Sequence, residues 1–358
     1  MKKSNLILII AAVALAAIAA IVAISRSRSA TFKQDYHIED IASVTKLFLA
    51  DKQDNHVTLE RIGDSSWTVD RTYPANQPMV DLFLETLHTM RIRQQVNKNA
   101  IPNAIKDLSA RAVKVEVYQQ KPLINWFGGR LQLFPRERLT TTYYVGRETQ
   151  DLMASYMFRQ GDKVPYIIHI PGFRGFLTPR FVAEPIKWRS HTIVDLNVHQ
   201  IQRIELQIPE SPQESFAVVR QGEGFQFELL TPHQTVAQFD TARVAQMLAS
   251  FTWLNFDEFA SIVPNSFADT CVSGTPRTIL SITDTAGNTH QLRTYIKYFN
   301  PDDIAVMPDP EMYNEFDIDR LYAIVDNKDT VLIQYYTFDN ILQPASYFLG
   351  QNPQPIAK

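Results

Sequence analysis

A single cysteine, Cys271, stands among 358 residues. That excludes an intrachain disulfide and any metal site built from several thiolates. A basic excess is also missing: 35 Lys and Arg face 38 Asp and Glu, for a net charge of −3. Nucleic-acid binding usually shows as positive charge, so nucleic acid is not expected as the main partner. The nucleophile elbow G-x-S-x-G does not occur, and neither does the phosphate cradle G-x-x-x-x-G-K. Ser43-Val-Thr-Lys46 fits S-x-x-K, but its S-D-N and K-T-G partners are absent and it falls on a predicted strand. The eight histidines include no pair at helical ligand spacing and no H-E-x-x-H. The acidic run from Asp302 to Asp319 has oxygen ligands but no EF-hand pattern, and reads as a solvated face. No metal, cofactor or catalytic residue is therefore expected. Paired carboxylates for glycan hydrolysis are set by space rather than by spacing, so a glycan-binding or glycan-hydrolysing role stays open as the alternative.

What is present begins at the N-terminus. Leu6 to Ile24 is an uncharged apolar run. At about 1.5 Å per residue it spans roughly 28 Å, close to the hydrocarbon thickness of a bilayer. A cleaved signal has an apolar run of only about 7–15 residues. An Ala-x-Ala site, at Ala17 to Ala19, lies inside the run, and Ser25-Arg26-Ser27-Arg28 comes directly after the run. Length favours a retained signal-anchor over cleavage. Lys2 and Lys3 tilt the orientation toward a cytoplasmic N-terminus. The expectation is a single-pass protein of a bacterial inner membrane with its body in the periplasm.

The body contains one pattern twice. Ile41, Val44, Leu47 and Leu49 recur 157 positions later as Val198, Ile201, Ile204 and Leu206. Val57 to Arg61 matches Phe216 to Arg220, and Trp67 matches Phe225; both aromatics are expected in the core. A predicted helix comes next in each copy. Val80, Leu84, Leu87 and Met90 align with Val244, Leu248, Phe251 and Leu254, with Asn76 and Asp240 placed as caps. Val113 to Val117 and Thr278 to Thr283 then alternate as strands. The predicted fold class is α+β: a transmembrane helix, then two tandem similar lobes, each a mainly antiparallel sheet with one main helix. The expected limits are 1–30 for anchor and linker, 31–195 for the first lobe, 196–348 for the second, and 349–358 for a disordered tail. No Pro/Gly-rich linker parts the lobes.

The copies differ at one hairpin. The second closes it with Asp284-Thr-Ala-Gly287-Asn288; the first inserts residues 119–140, longer than an ordinary loop. The insertion carries Trp126, Phe127 and Phe134 among Arg130, Arg136 and Arg138. Large apolar residues usually end up buried, here against their own sheet or between lobes. The alternative is an exposed contact for a protein partner or the bilayer surface. Residues 121–189 carry eleven bases and five acids, and residues 300–330 nine acids and two bases. The basic lobe is thus the one beside the anchor, where each Lys or Arg near an anionic surface adds about 1 kcal/mol.

Gly63 to Val69, Tyr73-Pro74-Ala75 and the helix after them, with Phe316 to Val325 and Val331 to Tyr335, resemble a bacterial family known as domain of unknown function 4340. The form is similar to its single-chain Bacteroidetes members. The resemblance covers most of the chain after Thr31. It implies an exported protein held by one N-terminal helix, often encoded beside ABC-type transport components. By analogy it implies an accessory, non-enzymatic role with a protein partner in the inner membrane. The resemblance assigns no catalytic residues.

Overall fold

The computed structural model describes residues 36–63, 65–126, 131–263, 266–300 and 314–351, with backbone alone at 123–126 and 131–132. The proposed anchor and most of the tail lie outside the described residues. Among these, no helix is long and apolar enough to cross a membrane. The chain divides into two compact units between Ser190 and His191.

The first unit is a nine-stranded sheet. Its strands are β1 (Val44–Ala50), β2 (His56–Ile62), β3 (Ser66–Val69), β4 (Tyr73–Pro74), β5 (Arg91–Gln95), β6 (Val113–Trp126), β7 (Leu131–Glu148), β8 (Ser155–Arg159) and β9 (Tyr166–His169). The order is β4-β3-β2-β1-β6-β7-β8-β9-β5. Helix α1 (Gln77–Thr89) carries the chain from one edge to the other, and α2 (Ile101–Arg111) returns it to the centre. A second meander, β6 to β9, then fills the gap the first one left.

The second unit opens with β10 (Thr192–Val194), which pairs with β15 (Leu254–Asn255) outside the large sheet. That sheet holds β11 (Ile201–Gln207), β12 (Phe216–Gln221), β13 (Gly224–Leu230), β14 (His233–Val236), β16 (Glu258–Phe259), β17 (Thr278–Asp284), β18 (Thr289–Tyr298), β19 (Phe316–Val325) and β20 (Asp329–Gln334). Its order, β14-β13-β12-β11-β17-β18-β19-β20-β16, is that of the first unit strand for strand. Helices α3 (Thr241–Ala249) and α4 (Ala268–Val272) take the places of α1 and α2. Two short helices, α5 (Tyr335–Phe338) and α6 (Ala345–Phe348), end the described chain.

The likeness reaches single bonds. The bulge between Val44↔Gln119 and Lys46↔Tyr118 recurs between Ile201↔Asp284 and Arg203↔Thr283. Asn76 caps α1 by accepting from the Met79 N–H, and Asp240 caps α3 by accepting from Ala242 and Arg243. Each cap's own N–H reaches the end of its unit: Asn76 donates to the Trp188 carbonyl at 2.7 Å, Asp240 to that of Phe348 at 2.8 Å. Arg61 donates to the Ile41 carbonyl with its guanidinium 5.0 Å from the Trp67 ring. Arg220 donates to the Ile201 carbonyl and sits 4.6 Å from the Phe225 ring.

One expectation is extended and one needs correction. Each unit has a second helix as well as the main one. In the first unit α2 packs on the face opposite α1: Ile168 faces the main core, while neighbouring Ile167 joins Val96 and Ala154 under Ile101 and Ala104. Adjacent strand residues point to opposite faces, so one strand serves both layers. Phe225 is half-exposed beneath Arg220, and the buried aromatic of β13 is Phe227, at 0% exposure. Trp67 is buried as expected.

Helix α2 comes close because residue 146 is glycine. A Cβ there would lie 2.8 Å from Leu108 Cδ2 and 3.2 Å from the Tyr156 carbonyl oxygen. Gly146→Val is expected to cost about 1–3 kcal/mol by overpacking. Urea denaturation checks it; no shift in midpoint would mean that α2 does not press on β7.

Candidate functional site

The extra segment of the first copy is a pair of strands rather than a loop. Beyond the sheet, β6 and β7 continue as a two-stranded arm paired at Gln120↔Glu137, Lys121↔Arg136, Pro122↔Pro135, Ile124↔Leu133 and Trp126↔Leu131. Its neighbours stop earlier. Strand β1 pairs with β6 no further than Gln119, and β8 meets β7 only from Tyr143. At about 3.3 Å per residue, Gln120 to Trp126 extends about 23 Å. The outer backbone edges of this ribbon have no strand beside them among the described residues. Edges of this kind can receive another strand.

A bulge marks the point where the arm leaves the sheet. Register shifts between Val117↔Thr141 and Tyr118↔Leu139, so Thr140 is an extra residue. Such a residue bends the ribbon and re-aims the strands beyond it. The Thr140 hydroxyl lies 3.1 Å from the Val117 carbonyl and 2.8 Å from Gln119 Oε1, able to donate to either. The buried Gln119 amide in turn donates to the Asp40 carbonyl and to Ser43 Oγ. This leaves Ser43 a structural partner of Gln119, in the turn just before β1 and not at a helix start.

The root of the arm is electrically self-contained. Glu137 accepts from Lys46 Nζ at 2.6 Å and from Thr45 Oγ1 at 2.7 Å. The Lys46 bond holds the Glu137 carboxyl below its ordinary range. Lys46 lies 4.0 Å over the Tyr118 ring, whose hydroxyl donates to Glu116. That bond pushes the Tyr118 pKa up to about 12. Burial raises Glu116, but its bonds to Lys114 and Tyr118 outweigh this and leave it lowered.

Above the root the surface changes. Leu133, Phe134 and Leu139 are exposed, Phe134 at 63%. Phe134 holds φ +55°, a left-handed conformation that a bulky residue rarely adopts. Arg136 and Arg138 are exposed, with no ion pair among the described residues. Phe134 is therefore not covered by its own sheet. Trp126 ends β6, with only its backbone described. Phe127 and Arg130 lie outside the described residues.

No group of three or more His, Cys, Asp or Glu that could hold a metal occurs among the described residues. Residues 301–313 of the acidic run lie outside them. Asp317 is taken by Lys297 and Arg320. Sequence reasoning missed the contacts by which Gln119, Thr140 and Glu137 hold the root of the arm, since isolated polar residues carry no periodic signal.

No curated protein and no solved structure matches the chain. The family described as Domain of unknown function (DUF4340) matches residues 67–271. The match runs from β3 of the first unit to α4 of the second and takes in the arm. Covering more than half of the sequence, it places this chain in the DUF4340 family.

Proposed function

We propose that this is a non-enzymatic envelope protein, held in a bacterial inner membrane by residues 6–24, whose β-arm engages a protein partner. The observation that carries the reading is the comparison of the two copies. The second closes the equivalent hairpin with Asp284 to Asn288: the Asp284 carboxylate accepts from Ala286 and Asn288, and Asn288 Nδ2 donates back to it. The scaffold therefore folds without an arm, yet the first copy presents Leu133, Phe134 and Leu139 on one. Exposed apolar residues beside unpaired arginines suit a protein contact, where aromatics and Arg carry much of the affinity. An ABC-type transport complex is the assembly we favour, on the family resemblance.

A photo-crosslinker at Phe134 in intact cells should capture a defined membrane protein. Replacing residues 120–139 with the Asp284–Asn288 turn should abolish capture and shift stability by no more than about 1 kcal/mol, the scale of surface changes. Absence of an adduct, with full cellular function in the replaced chain, would sink the proposal.

A further inference from the structure

A second departure between the copies lies in the second unit and is independent of the arm. Helix α1 runs to Thr89, whereas α3 stops at Ala249. The position aligned with Thr89 is Trp253, held at φ +56° with its side chain 61% exposed. Its N–H donates to Asp195 Oδ1 at 3.1 Å, and its carbonyl accepts from Asn255 Nδ2 at 3.0 Å. The backbone is thus pinned in a conformation that a tryptophan rarely keeps, and an observed outlier of this kind points toward function. Tyr336, 92% exposed on α5, lines the same depression of about 530 Å³. That volume lies within the range of small-molecule sites. Thr252, Thr337, Asp339 and Asn340 add hydroxyl, carboxylate and amide groups to its wall.

We propose that the depression bearing Trp253 and Tyr336 binds a neutral saccharide. Exposed aromatic faces stack on the C–H faces of a pyranose, and the polar wall meets its hydroxyls. Charge selects against other ligands. No Lys or Arg lines the depression, so anions find no partner. Tyr335, also lining it, already has the Arg277 guanidinium 5.7 Å from its ring and donating to its hydroxyl, which disfavours a cationic ligand there. Asp339 Oδ1 accepts from Gln343, leaving one carboxylate oxygen for a hydroxyl donor. The glycan alternative left open by the sequence thereby acquires a location.

The test titrates the full chain in detergent with chitotetraose, cellotetraose and maltotetraose, each to about 10 mM, past the millimolar range of weak sites. Tryptophan emission and saturation-transfer NMR read the binding. At least one oligosaccharide should bind and shift the emission to the blue, and Trp253→Ala and Tyr336→Ala should each weaken it about tenfold. Tyr336→Ala removes an exposed side chain and decides the matter if Trp253→Ala does not fold. Failure of all three sugars, binding unchanged in Tyr336→Ala, or a response only to choline or a proline-rich peptide would overturn the proposal.

Discussion

Replacing Trp188 with alanine should destabilise the first unit by about 3–5 kcal/mol, the range for removing a buried aromatic. The indole is fully buried, its ring centroid 5.3 Å from that of Phe83 on α1, and its Nε1–H donates to the Val182 carbonyl at 2.9 Å. Truncation loses apolar burial, opens a cavity and leaves that carbonyl without its donor. Trp188→Phe keeps most of the volume and should recover more than half of the loss. Phe348→Ala is the matching change in the second unit, where the ring packs on Phe216 and Phe227. Urea denaturation monitored by far-UV circular dichroism measures both. A loss below about 1 kcal/mol in either, the scale of surface changes, would mean that the closing segment is an appendage to the sheet and not part of its core.

The second large effect concerns Lys297 and Asp317. Both are 8% exposed, and Lys297 Nζ lies 3.0 Å from Asp317 Oδ2. The same carboxylate accepts from the Asp319 and Arg320 N–H groups and from Arg320 Nε. Asp317→Ala should cost about 3–5 kcal/mol, because it leaves the ammonium buried without its counter-charge. The double variant Lys297→Met with Asp317→Leu should recover most of that, since apolar replacement of a buried pair is often neutral. A double variant no better than the single one would show that the backbone contacts of Asp317 dominate.

The pair also sets a pH dependence. Burial raises the Asp317 pKa, but the Lys297 bond and the Asp319 N–H outweigh it, so the folded value lies below the ordinary one. On acidification the unfolded chain takes up its proton first, near the ordinary Asp value of about 3.9. The stabilisation is complete above that pH and is lost as pH falls through the folded value. Asp317→Asn should flatten this part of the acid-unfolding curve.

How much of this was legible in the sequence depended on periodicity. The strands carrying Leu47 and Leu49 recur at one offset as those carrying Ile204 and Leu206, and the helices carrying Val80 and Val244 follow in the same order, so duplication and antiparallel sheets could be read directly. Helix α2 was overlooked although Ile101, Ala104, Ile105 and Leu108 fall at helical spacings of 3 and 4, because the second copy has no matching stripe in its five-residue α4. The closing segments were hidden because they have no period, only isolated aromatics such as Trp188 and Phe348. The arm was read as a loop from its length, and Pro122 and Pro135 within it do not mark a strand in sequence. In the ribbon they face each other, where the missing N–H groups disturb no longer ladder. Trp253 carried no pattern, and only the aligned helix ends expose it.

The carbonyls of Trp188 and Phe348 bear on biosynthesis. Each copy receives a bond to its helix cap from residues at its own C-terminal end, the first at Trp188, just before Ser190, where the first unit ends. During synthesis the leading body can therefore latch before its sibling's strands emerge. Two sheets of identical order in one polypeptide invite exchange of strands, a known failure of tandem repeats, and sequential latching shortens the interval in which that exchange can occur.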